Sequence, residues 1–166
     1  GWKRGHLSNP HPASGGRVSS YEAVDRVLRL LGDPLLFPRL QTVVVTGHSA
    51  GGQYAHRFAA TSPAETELPH LRFRYIVANP STYLYLGPER AMEGGGFGLP
   101  DREACPDYNA WHYGLEDRNS YALRLTEAGA DAFPGVIAPL EELWVTWIMK
   151  EVGLKPTYLA MLRGRA

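Results

Sequence analysis

Cysteine is almost missing from this 166-residue chain: Cys105 stands alone, so no disulfide can close within it. Charge of one sign is missing too. Lys+Arg and Asp+Glu both count 17, which removes the global field that draws a protein to nucleic acid or an anionic membrane. No apolar run approaches the ~20 residues of a membrane span, and no signal-peptide pattern opens the chain. No phosphate-cradling G-x-x-x-x-G-K-[ST] occurs. Histidines with metal-site spacing are also wanting. His6 and His11 lie five apart among loop residues with no cysteine or carboxylate beside them, whereas zinc needs three or four spaced ligands. No metal, no cofactor, no nucleic-acid partner and no membrane span is therefore expected. What is present, 44% apolar and 20% charged residues, is ordinary for a globular domain with a real core.

The most informative stretch is Thr42-Val43-Val44-Val45-Thr46-Gly47-His48-Ser49-Ala50-Gly51-Gly52. Three consecutive β-branched residues predict a strand buried on both faces. The chain then turns through Gly-His-Ser-Ala-Gly into residues 50–60, a helical segment free of proline. G-x-S-x-G between a strand and a helix is the nucleophile-elbow pattern. A serine at so tight an apex takes a strained backbone, and Gly47 and Gly51 are expected to be small so that strand and helix pass closely. The turn lifts the Ser49 hydroxyl clear of the sheet and leaves the Ala50 N–H at a helix N-terminus, where a developing oxyanion would sit. Ser49 is thus the candidate nucleophile and Ala50 the candidate oxyanion donor.

The elbow resembles that of the α/β-hydrolase superfamily of serine esterases and lipases. A wider set of residues resembles a microbial and fungal branch of it: Trp2-Lys3-x-Gly5, Ser19-Ser20-Tyr21-Glu22, Phe37-Pro38-x-Leu40, the elbow with Gln53, Arg74 to Ser81, Tyr83-Leu84-Tyr85-Leu86, and Cys105-Pro106-x-Tyr108-Asn109-x-Trp111. The likeness covers residues 1–121 and thins out beyond them. It implies a serine hydrolase acting on a small-molecule ester or related acyl bond, and a cysteine partner for Cys105 further along a longer chain. With Gly1 in place of methionine, the chain is expected to be a fragment or a processed product.

Around the elbow the pattern is α/β. Ser19-x-x-Glu22 predicts a capping box. A helix over 21–31 follows, with Val24, Val27, Leu28 and Leu31 on one stripe and Asp25 pairing with Arg29 outside. Gly32, Pro34 and Pro38 end it. In the 50–60 helix Tyr54 and Phe58 share a face, and Gln53, His56 and Arg57 are expected to lie away from it, solvated. A second strand is expected over 73–79, parallel to the first, stopped by Pro80. Its carboxyl end should lie near Ser49, which nominates His48, Ser81 and Tyr83 as substrate-binding residues; ordinary loop packing is the alternative for the last two. The glycine run 94–96 is expected to be a mobile loop. From Ser120 the pattern turns helical, with segments over 121–130, 136–152 and 157–163.

The expected fold class is therefore α/β: a partial α/β-hydrolase-like parallel sheet with flanking helices over 1–121, then a helical C-terminal tail over 122–166. The catalytic partners of Ser49 are hard to find. In elbow enzymes an acid and then a histidine follow the serine after later strands. No convincing strand follows Asn79, and no histidine occurs from Thr126 to Ala166. His112 is the one late histidine, with Asp107, Glu116 or Asp117 as its acid. A nucleophile without partners also suits a non-catalytic paralogue or gene fragment.

Overall fold

The computed structural model describes residues 1–93 and 95–127. The expected segments over 136–152 and 157–163 lie outside the described residues. A 3-10 turn at Trp2–Arg4 precedes α1 (Ser20–Leu31), β1 (Thr42–His48), α2 (Ala50–Thr61), a single turn α3 (Ala64–Glu67) and β2 (Arg72–Ala78). Two short strands, β3 (Arg90–Ala91) and β4 (Phe97–Gly98), and α4 (Ser120–Glu127) complete the described order.

The fold is α/β, built on one small parallel sheet. β1 and β2 pair in parallel from Thr42↔Arg72 to His48↔Ala78, as a strand–helix–strand crossover requires. Period-2 alternation puts Val43, Val45 and Gly47 on the same face as Phe73, Tyr75 and Val77, and α2 packs across that face. The opposite face differs from expectation. Val44 is 50% exposed, because no described helix covers it, so β1 is buried on one face only.

α1 begins as its sequence predicts. The buried Ser19 hydroxyl accepts from the Tyr21 N–H (3.1 Å) and donates to the Gly5 carbonyl (2.7 Å). The reciprocal half of the capping box does not form, since Glu22 turns to Arg26 and Arg29. The buried stripe also differs: it runs through Tyr21, Asp25 and Leu28, while Val27 is exposed. Arg29 pairs with Glu67 of α3 (2.7 Å) instead of Asp25.

Asp25 is a core residue, 1% exposed. Its carboxylate accepts from the Ser62 hydroxyl (2.6 Å) and the Tyr121 hydroxyl (2.5 Å), tying α1 to the end of α2 and the start of α4. Tyr121 closes an aromatic cluster. Tyr21 lies at its centre, edge-on to Tyr54 (4.9 Å), Tyr121 (5.3 Å) and Phe58 (5.7 Å). Burial raises the Asp25 carboxyl above its ordinary value, despite those two hydrogen bonds. Because the folded-state value is the higher one, its contribution to stability is full below about 3.8 and lost as pH rises through the folded-state value. Asp25→Ala, which strands two buried hydroxyls, should cost about 2 kcal/mol or more in urea unfolding at pH 7. Asp25→Asn keeps an acceptor and removes the buried charge, so it should cost much less, and less at pH 7 than at pH 4. Equal losses for both variants would contradict this account.

Gly95 and Gly96 of the glycine run lie at a small hairpin, and residue 94 is outside the described residues. β3 and β4 pair antiparallel, Arg90↔Gly98 and Ala91↔Phe97, and Gly95 and Gly96 take φ of +99° and +82° in the turn. These short strands do not join the β1–β2 sheet.

Candidate functional site

Ser49 sits where the chain passes from β1 into α2, with φ 54° and ψ −114°. A residue with a side chain rarely holds a positive φ, and here the surroundings enforce it. The Ser49 N–H donates to the Ala78 carbonyl at the end of β2 (2.9 Å), and the Ser49 carbonyl accepts from Gln53 N–H (3.0 Å), opening α2. The apex is held from both sides, and the Ser49 side chain is exposed.

The glycines explain how strand and helix pass so closely. A Cβ on Gly47 would overlap the Gly51 carbonyl group. One on Gly52 would lie 2.6 Å from the Ala78 carbonyl oxygen. Gly51 itself has open space where a Cβ would point. The close approach therefore demands glycine at 47 and 52; at 51 it is the backbone, and not the missing side chain, that makes the contact.

Ala50 opens α2, so its N–H has no acceptor within the helix. It belongs to the first turn, where the helix dipole is positive. An anion forming at Ser49 would meet this end of the helix.

The nominated substrate residues gather in part. His48 is exposed at the end of β1, and its Nε2 lies 3.4 Å from the Asn79 side-chain amide. Asn79, next to the elbow at the end of β2, also has a positive φ of 43°. Ser81 is tied to α2 through a short hydrogen bond from Gln53 Nε2. Tyr83 lies edge-on to His56, with ring centroids 5.7 Å apart.

Gln53, His56 and Arg57 are all buried, contrary to the solvated face expected of them. The loop after β2 folds back over that side of α2. Thr82 donates to Gln53 Oε1 (3.1 Å), and Arg57 reaches Thr82 Oγ1 (2.8 Å), the Gln53 carbonyl (2.9 Å) and the His112 carbonyl (3.0 Å). Burial without a carboxylate partner pushes the Arg57 guanidinium down to about 10. Sequence reasoning missed this network. The one available signal was three large polar residues in a helix otherwise made of small and aromatic ones.

His112 is buried, and its Nδ1 has no hydrogen-bond partner. Burial, with Arg4 and Arg57 nearby, holds it down to about 4, so it is neutral at pH 7. Of the acids considered for it, Glu116 is engaged by Arg102 and Asn109. The His112 carbonyl docks on Arg57, eight residues and roughly 12 Å along α2 from Ser49. Among the described residues no group of three or more metal-ligating side chains occurs, and no helix is long and apolar enough to cross a membrane. No protein-family model, no curated protein and no solved structure matches this chain.

Proposed function

We propose that Ser49 is the nucleophile of a serine-hydrolase elbow of the α/β-hydrolase type, acting on an ester or related acyl bond. The observation that carries this reading is the backbone of Ser49: a positive-φ, exposed serine between a parallel strand and the first turn of a helix. A merely structural turn has no need of that strain, which glycine would relieve. In the proposed step Ser49 Oγ adds to the acyl carbonyl carbon and gives its proton to solvent water, and the Ala50 N–H stabilises the intervening oxyanion. The carbon–oxygen bond to the leaving group breaks as that oxygen takes a proton back and departs as the alcohol. Water then adds to the acyl carbon, the bond to Oγ breaks, and the carboxylic acid leaves with the Ser49 hydroxyl restored.

We propose further that the described residues hold the nucleophile without its base. The place of His112 beside Arg57 favours this, and with it the alternative that the chain binds and does not catalyse. A fluorophosphonate probe followed by peptide mass mapping separates the two halves of the reading. Slow modification at Ser49, in preference to other serines and lost in Ser49→Ala, is the expected result. Modification spread over other serines with Ser49 untouched would overturn the nucleophile. Without its base, turnover of p-nitrophenyl acetate should be about 10⁴-fold or more below that of a complete triad. Fast turnover abolished by Ser49→Ala would instead reveal a base, and its loss in His112→Ala would name it.

A further inference from the structure

A concave site lies away from the elbow, where the β3 region meets the segment around Cys105. The cavity measures about 470 Å³, and Tyr85, Tyr108, Tyr113, Pro100, Cys105 and Arg90 line it. That volume suits a small organic ligand, and the lining is chiefly aromatic rings and proline.

The half-buried cation on its wall, Arg90, is unusual. The Arg90 guanidinium lies over the Tyr85 ring at 4.1 Å and the Tyr108 ring at 5.0 Å. Its Nη1 donates to the Gly87 and Glu89 carbonyls, and its Nη2 to the Tyr108 carbonyl and Asn109 Oδ1. Every one of these acceptors is neutral. Among the described residues no carboxylate forms an ion pair with Arg90, whereas its neighbour Arg102 is matched by Glu116. Burial lowers the Arg90 pKa, and Glu89 and Glu116, neither in contact with the guanidinium, only partly offset it. The hydrogen bonds and the two rings hold the guanidinium at the cavity wall.

We propose that this cavity binds a small aromatic carboxylate, its ring against the tyrosines and its anionic end toward Arg90. Asp107 also lines the cavity but is exposed, so solvent screens its repulsion more than it screens the half-buried Arg90. The anionic end distinguishes this ligand from a merely apolar one, because it supplies the direct ion pair that Glu89 and Glu116 do not make with Arg90. The site stands independently of any chemistry at Ser49.

Cys105 gives a built-in reporter, being the one cysteine in the chain and exposed at the cavity wall. The probe is 2-naphthoate, with 2-naphthalenemethanol as its neutral counterpart, and the readout is the rate of Cys105 alkylation by N-ethylmaleimide. Naphthoate should slow alkylation saturably, at a concentration about tenfold lower than the alcohol needs. Arg90→Gln should erase that difference. Because Arg90 also ties the loop together, Tyr113→Ala provides a second variant: Tyr113 is a half-exposed wall, and its truncation should weaken protection. No protection by naphthoate, or equal protection by naphthoate and the alcohol, would overturn the proposal. So would a Tyr113→Ala chain as well protected as the parent.

Discussion

Gly47→Ala is expected to remove about 3 kcal/mol or more of stability, enough to unfold a chain of ordinary marginal stability. The added methyl would occupy the position of the Gly51 carbonyl, and two backbones have no rotamer by which to give way. β1 and α2 would have to separate. That opens the Ser49-to-Ala78 hydrogen bond and the face on which Phe73 and Tyr75 are buried. Gly51→Ala, within the same motif, is the control. Its methyl meets open space, and alanine is the better helix former, so stability should stay level or rise by about 0.5–1 kcal/mol. Gly52→Ala should fall between them, because its methyl would press on the Ala78 carbonyl at 2.6 Å. Urea melts of the three variants test the order. A Gly51→Ala chain less stable than Gly47→Ala would show that the strand–helix crossing differs from the one described.

Acid is the second large effect. His56 is fully buried, and burial, with the Arg57 charge beside it, holds its imidazole down to about 4. In the unfolded chain it returns to about 6.5. Between those values the unfolded state binds the extra proton, so stability is complete above pH 6.5 and drains away as pH falls toward 4. For His56 alone this amounts to on the order of 3 kcal/mol. His112, held down chiefly by burial, acts in the same direction over the same window. Asp25 opposes both at the acid end. Protonated His56 would also lose its Nδ1 as the acceptor of the Leu84 N–H, loosening the loop that follows β2. The midpoint of urea unfolding should therefore fall steeply between pH 6.5 and 4.5, and His56→Gln should make that fall shallower. Constant stability from pH 7 to pH 5 would mean that His56 is hydrated or paired in a way the fold does not suggest.

The local features were legible in the sequence, and the reason is chemical. Ser19 followed by a helical pattern predicts where α1 starts, and Gly-His-Ser-Ala-Gly after three valines predicts the elbow. In both, the residues that interact lie within a few positions of one another. The parallel pairing of β1 and β2 followed from the helix between them. The polar core was not legible. Asp25, Gln53, His56 and Arg57 look like an outer face on any helical wheel, because the wheel assigns polar residues to water. Asp25 is satisfied by Ser62, 37 positions away, and by Tyr121, 96 away; Arg57 depends on His112, 55 away. Such partners follow no periodicity. Their burial is only affordable once the whole chain is in place.

Residues 2–4 show what that means for a chain synthesised in order. The Trp2 carbonyl accepts from the Ser20 hydroxyl, that of Lys3 from the Tyr21 hydroxyl, and that of Arg4 from both Trp111 Nε1 and Asn119 Nδ2. Ser20 and Tyr21 emerge from a ribosome almost at once, but Asn119 follows Arg4 by 115 positions. At about 5–20 residues per second, Arg4 waits on the order of ten seconds for its last partner. Until then the Arg4 carbonyl lacks both of those donors, and the floor on which Trp111 comes to rest is only half built. The clasp on this part of the fold is thus a backbone oxygen that is synthesised 115 positions before the last donor that fastens it.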